Sequence, residues 1–210
     1  VNCTGQALSA VPPDLPADTG ILLLSSNHLV SLSTTAFLPL AQLQDIDLAN
    51  NRMMYLYTDG ALLPSLKELT LSYNALVALP TLQGLPGLTR LAVAHNSLVT
   101  LAPGAFRSVP QLQDLDLRGN QMQKLPQEAF AGLRALKELD LSDNLLEELP
   151  RELLQDLQKL ETLWLSGNRL RTLPTDFFPK GRLFMYVFLT ENLWHCDCEL
   201  RYLRTWIQQN

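Results

Sequence analysis

The sequence predicts an α/β solenoid: a right-handed, curved horseshoe with a parallel sheet along its concave side, an irregular convex side and a cap at each end. Three observations carry this. The pattern LxxLxLxxNxLxxL returns eight times, with its asparagine at Asn27, Asn51, Asn74, Asn96, Asn120, Asn144, Asn168 and Asn192, in steps of 24, 23, 22, 24, 24, 24 and 24 residues. Within each copy, leucines such as Leu139 and Leu141 alternate with polar residues before the asparagine. Cysteines occur only near the two ends, at Cys3, Cys196 and Cys198. A period of roughly 20 to 29 residues marks stacked units that cannot bury their apolar faces alone. The expected division is an N-terminal cap over residues 1–18, eight repeats over 19–192 and a partial C-terminal cap over 193–210.

Each element of the repeat has a physical reason. Alternating leucines describe a short strand with one buried face. Stacking parallel copies gives those strands partners and joins their leucines into one core. The asparagine falls at the bend where the strand ends, so its amide is expected to bond to backbone groups there, giving a ladder of eight amides. Leu-Pro pairs at Leu79-Pro80, Leu125-Pro126, Leu149-Pro150 and Leu173-Pro174 then turn the chain onto the convex side, where proline interrupts no ladder. Phe37, Phe106, Phe130 and Phe178 share the nineteenth position of their repeats and predict an aromatic spine in the convex part of the core.

The clean copies LKELTLSYNALVAL, LQDLDLRGNQMQKL, LKELDLSDNLLEEL and LETLWLSGNRLRTL, together with both ends, resemble extracellular leucine-rich-repeat proteins. VNCTGQALSAVPPDLPADTG resembles the family's N-terminal cap, with a short strand around Val1 to Thr4, and NLWHCDCELRYLRTWI resembles its C-terminal cap. In the latter, Asp197 is expected to cap a helix with Leu200, Leu203 and Ile207 on one face, while Trp194 and Trp206 close the last repeat. The resemblance implies that Cys196 and Cys198 pair with cysteines further along the family's chain, and therefore an oxidising, extracellular setting. His195, Cys196 and Cys198 give at most three ligands at spacings too tight for an ordinary zinc site, and no Cys-x-x-Cys redox motif is present. Asn2-Cys3-Thr4 is a formal N-glycosylation sequon.

Function is expected on the concave sheet. Its outward side chains come from the second, third, fifth, seventh and eighth positions of each repeat. Ten acids fall there (Asp45, Asp47, Glu68, Asp114, Asp116, Glu138, Asp140, Asp143, Glu161 and Glu191) against four bases, Lys67, Arg90, Arg118 and Lys137. The chain has 21 acids and 16 bases, so the remainder is 11 against 12 and the negative surplus belongs to this one face. Such a face either keeps an open sheet soluble or steers a basic protein partner. Trp164, Tyr186 and Phe188 lie outward in the last two repeats, with Tyr73 and His95 further forward, and exposed aromatics on a rigid sheet are typical binding anchors. The alternative expectation is that Phe188 and Tyr186 tuck beneath the C-terminal cap.

Composition narrows the classes. A net charge of −5 speaks against nucleic acid, and no apolar run approaches the roughly 20 residues that cross a bilayer. His28, His95 and His195 lie in separate repeats or caps, and neither a nucleophile elbow nor a phosphate loop occurs, so the expectation is a non-enzymatic chain without cofactor or metal. Within the family, PPDLPADTGILLLSSNHL, TDGALLPSLKELTLSYNALVALP and the closing FFPKGRLFMYVFLTENLWHCDCELRYLRTWIQQN are similar to platelet adhesion receptors. This resemblance implies capture of von Willebrand factor on the concave face, through Asp114, Glu138, Glu161 and Tyr186 with Asp116 and Phe188 beside them; Asp140 and Trp164 complete the expected partner-binding set. The alternatives are an ectodomain of the innate-immune or axon-guidance kind, or a non-catalytic carrier subunit of a plasma enzyme.

Overall fold

The computed structural model describes residues 1–58 and 60–210. Its main feature is an eight-stranded parallel sheet of three-residue strands: β1 (Ile21–Leu23), β3 (Asp45–Asp47), β5 (Glu68–Thr70), β6 (Arg90–Ala92), β7 (Asp114–Asp116), β8 (Glu138–Asp140), β9 (Thr162–Trp164) and β10 (Tyr186–Phe188), in that spatial order. Every pair is parallel and in register by repeat position, so Leu69, Leu91, Leu115, Leu139 and Leu163 lie side by side facing inward. All five are at most 1% exposed.

The asparagine ladder holds neighbouring repeats together. In Asn144, Nδ2 donates to the carbonyls of Leu141 (3.2 Å) and Ser142 (3.1 Å) in its own bend and of Leu117 (3.1 Å) in the preceding repeat. Its Oδ1 accepts the Met122 N–H of that preceding repeat at 3.2 Å. The same pattern recurs at Asn51, Asn74, Asn96, Asn120, Asn168 and Asn192. At Asn27 the cap stands in for a repeat: Nδ2 donates to the Cys3 carbonyl at 2.9 Å and Oδ1 accepts from Gln6 and Leu8. Only a carboxamide can donate twice and accept once from one buried side chain in this geometry.

The residue before each of these asparagines adopts a left-handed backbone: Ser26, Asn50, Tyr73, His95, Gly119, Asp143, Gly167 and Glu191, with φ between 52° and 70°. This conformation carries a steric penalty for any residue with a Cβ. Only two of the eight are glycine, so the ladder imposes a bend that local preference opposes.

On the convex side, position nineteen runs Phe37, Ala61, Gly84, Phe106, Phe130, Leu154, Phe178. The small residues fall in the 23- and 22-residue repeats, whose shortened convex segments leave no room for a phenyl ring. Gly84 has φ +80°, and a Cβ built there would lie 1.9 Å from the Ala61 carbonyl oxygen. The expected aromatic spine is therefore local: Phe106 stacks on Phe130 at 5.9 Å, whereas Phe178 stacks on Trp206 of the cap at 3.9 Å. The convex side also holds a feature absent from the sequence expectation, a two-stranded parallel sheet of β2 (Ser31–Ser33) and β4 (Tyr55–Tyr57). Its central Leu32 and Leu56 face the core, and Tyr55 and Tyr57 stand exposed.

Both ends are closed. Asn2 bridges to Leu23, extending the sheet by one link where a strand around Val1 to Thr4 is expected, and Cys3 joins the core. At the other end Asp197 caps a short 3-10 turn, Cys198–Leu200, that leads into α1 (Arg201–Gln209). Leu203 is buried, but Ile207 is 56% exposed and lies off the inward face expected for it, while the Trp206 ring lies on Phe178 and Phe184. Trp194 donates its indole N–H to the Leu189 carbonyl at 2.9 Å, and the Tyr202 hydroxyl accepts the Phe178 N–H at 2.9 Å. Cys3, Cys196 and Cys198 are all thiols, the first buried and the other two exposed.

Two outcomes are expected. Asn144→Asp keeps the shape but places a carboxylate against three carbonyls, and urea denaturation should show a loss of about 3 kcal/mol or more. Gly84→Ala adds a backbone collision to an unfavourable φ and should cost at least about 2 kcal/mol in the same assay.

Candidate functional site

The register of the sheet turns repeat positions into rows. Position three forms the row Ile21, Asp45, Glu68, Arg90, Asp114, Glu138, Thr162, Tyr186. Position five forms Leu23, Asp47, Thr70, Ala92, Asp116, Asp140, Trp164, Phe188. Neighbouring strands are about 4.8 Å apart, so like charges on adjacent repeats stand close together. Asp114 beside Glu138 and Asp116 beside Asp140 make a two-by-two block of carboxylates on β7 and β8.

Counter-charges hold this block only on one side. Arg90 Nε lies 3.3 Å from Asp114 Oδ2, and Arg118 lies 3.5 Å from Asp116 Oδ2. The Arg118 backbone N–H also reaches Asp116 Oδ1 at 3.0 Å, and the Ser142 N–H reaches Asp140 Oδ1 at 2.8 Å. These bonds fix the carboxylates in place with their remaining lone pairs outward. Burial pushes the Asp114 carboxyl above its ordinary value of 3.8, with Glu138 and Asp116 adding to the rise and Arg90 opposing it. Burial also raises Asp116; Asp140 adds to that rise, and Arg118 opposes it through its N–H and guanidinium. Asp45 is raised for the same first reason, reinforced by Glu68 and Asp47. Ionising these three carboxyls therefore costs free energy relative to an exposed carboxyl.

The two rows end on an aromatic shelf. Trp164 and Phe188 stack at 5.7 Å with planes 7° apart, and Tyr186 lies 6.1 Å from Phe188. Tyr186 is 58% exposed and Phe188 40%, so neither is covered by the C-terminal cap, whose helix packs behind β10 against Phe178 and Phe184. Glu161 is exposed at the foot of β9, and its carbonyl accepts from Met185 and Tyr186, which ties the acidic and aromatic ends together. Thr162, in contrast, is buried and offers little to a partner.

A second aromatic element borders the sheet. Tyr73 and His95 occupy consecutive left-handed bends and stack at 4.6 Å with planes 13° apart. The His95 ring lies over Gly119, where a Cβ would meet Nδ1 at 2.4 Å. Both are position-eight residues of adjacent repeats, so the register that aligns the bends brings the two rings together.

His28, His95 and His195 stay apart, in the first bend, the fourth bend and the C-terminal cap. Among the described residues no group of three His, Cys, Asp or Glu side chains is placed to hold a metal ion, and no helix is long and apolar enough to cross a membrane.

The family described as leucine rich repeat matches residues 20–76, 64–122 and 110–170. The chain belongs to the leucine-rich-repeat family. Over its whole length this leucine-rich-repeat chain is 58% identical to the mouse platelet glycoprotein Ib alpha chain, across 212 aligned residues that make up 28% of that protein. The dog platelet glycoprotein Ib alpha chain is 43% identical over 211 residues, again all of this chain and 31% of the relative. The crystal structure of human 5T4, a trophoblast glycoprotein also called Wnt-activated inhibitory factor 1, matches with a TM-score of 0.82 and 30% identity, covering all of this chain and 82% of the other. The chain thus spans less than a third of the length of the two platelet relatives, and it is a leucine-rich-repeat protein-binding module.

The raised carboxyls predict a pH signature. A folded-state pKa above the unfolded one means that the native state holds its proton to higher pH, so this contribution improves stability as pH falls through the raised pKa towards 3.8. Asp116→Asn keeps an oxygen for the Arg118 N–H and removes the buried charge. The variant should be more stable than the parent at pH 7, with the difference shrinking towards pH 4 in parallel thermal melts.

Proposed function

We propose that this chain is an extracellular, non-enzymatic recognition domain that captures a basic protein partner on its concave face, as part of a platelet adhesion receptor whose partner is von Willebrand factor. The observation that carries the reading is the carboxylate block of Asp114, Asp116, Glu138 and Asp140 standing in register beside the Trp164, Phe188 and Tyr186 shelf.

Like-charge crowding and partial burial leave the block short of counter-charge. A cationic surface gains the direct attraction and also relieves that repulsion, while a negative one meets several unfavourable charges at once. The field of the face raises association rates in a salt-dependent way. The shelf supplies what charge alone does not: flat, rigid, exposed apolar area that loses little side-chain entropy on contact. Glu161 lies between the two. The likeness to the platelet chains over the whole length supports the adhesion setting. The same likeness supports an extracellular location.

The test is binding of the purified protein to the platelet-capturing domain of von Willebrand factor at low and physiological salt. Affinity should fall as salt rises, and the Tyr186→Ala, Glu161→Ala double variant should bind at least about tenfold more weakly at each salt, with its unfolding transition unchanged. Absence of binding by the parent at both salts would overturn this partner assignment.

A further inference from the structure

Eleven asparagines occur in the sequence. Ten have assigned work in the fold: the eight bend asparagines each donate Nδ2 to backbone carbonyls. Asn50 donates to Ser26 Oγ, and Asn210 donates to the Trp206 carbonyl. Asn2 is the exception among the described residues. Its Oδ1 accepts the Thr4 N–H at 2.9 Å, and its Nδ2 has no protein acceptor.

The surrounding strand explains the arrangement. Successive side chains of an extended segment point to opposite faces. Cys3 turns inward and is 7% exposed, so Asn2 and Thr4 both point outward and are exposed. The bridge to Leu23 places Asn2 at the head of the row that continues through Asp47, Asp116 and Trp164 to Phe188. Eight strand spacings separate the row's ends, about 38 Å at 4.8 Å each. Exposed Val1 and Ile21 flank the head of the row, 44% and 53% accessible.

We propose that Asn2 carries an N-linked glycan at the head of this row, which leaves the distant aromatic shelf open. The sequon Asn2-Cys3-Thr4 supplies the acceptor. The donor class is a lipid-linked oligosaccharide pyrophosphate. The bond from the sugar's anomeric carbon to Asn2 Nδ2 forms, the bond from that carbon to the pyrophosphate oxygen breaks, one amide proton leaves to a base and the lipid pyrophosphate departs. In the fold the attached sugar meets no buried neighbour and displaces no hydrogen bond, which holds for none of the other ten asparagine amides. The proposal depends on passage through a secretory compartment and is independent of the partner of the concave face.

The experiment uses the full-length protein secreted by mammalian cells. Peptide N-glycosidase treatment in oxygen-18 water, followed by mass spectrometry of the peptide containing Asn2, should find Asn2 converted to aspartate bearing one oxygen-18. Thr4→Ala should abolish that label and remove one glycan from the intact mass, and Thr4→Ser should retain both. Recovery of Asn2 from the secreted parent protein as unmodified asparagine would overturn the proposal, and this reading does not depend on whether either variant folds.

Discussion

The amide of each bend asparagine is the interaction on which the rest of the structure depends. Strands of three residues make too few hydrogen bonds with their neighbours to fix a stack of repeats by themselves. A buried or half-buried carboxamide after each strand of the main sheet adds bonds to its own bend and to the repeat before it, as Asn96 does with Val93, Ala94 and Leu71. Each bond is worth about 1 kcal/mol net, and the penalty for leaving its buried partners unpaired is larger. The ladder therefore sets the spacing, the register and the left-handed residue that precedes every asparagine. Tyr73, His95 and Glu191 accept that backbone despite having no glycine freedom, because the bonds on either side outweigh the local cost.

Register then makes the concave face. With every strand aligned by repeat position, an acid at position three or five meets the acid of the next repeat directly, and the sheet cannot slide to separate them. The partial burial of Asp114 and Asp116 follows from their place near the middle of the curved sheet, and both carboxyls rise from their ordinary values in consequence. A surface held in this state is preorganised for a cation. The stacked Trp164 and Phe188 rings arise from the same register, since both are position-five residues on adjacent strands.

The ends of the array solve a different problem. An interior repeat is covered by its neighbours, whereas a terminal one needs a substitute. At the front, Cys3, Gln6 and Leu8 offer Asn27 the same carbonyl and N–H groups that a preceding repeat would. At the back, Trp194, Trp206, Leu203 and Tyr202 cover the last leucines with aromatic area, and Arg182 donates to the Leu154, Gln155 and Leu157 carbonyls to pin the closing turn. Strand β10 is still less buried than its neighbours.

Much of this protein is legible in the sequence because the repeat is its own evidence: eight asparagines at near-constant spacing determine the strand positions, the inward leucines and the membership of the acidic face. The same arithmetic places Asp114, Glu138, Glu161, Trp164, Tyr186 and Phe188 outward, since period-two alternation is a local property of an extended chain. Tertiary structure alone decided how those residues meet. It stacked Tyr73 on His95 across consecutive left-handed bends, left Phe188 open, and left Ile207 exposed while the Trp206 ring settled on Phe178 and Phe184. It also paired β2 with β4 on the convex side and left Asn2 as the one asparagine whose amide has no protein acceptor among the described residues. Those outcomes depend on which neighbours arrive from other repeats, and that is a matter of packing distance rather than of sequence pattern.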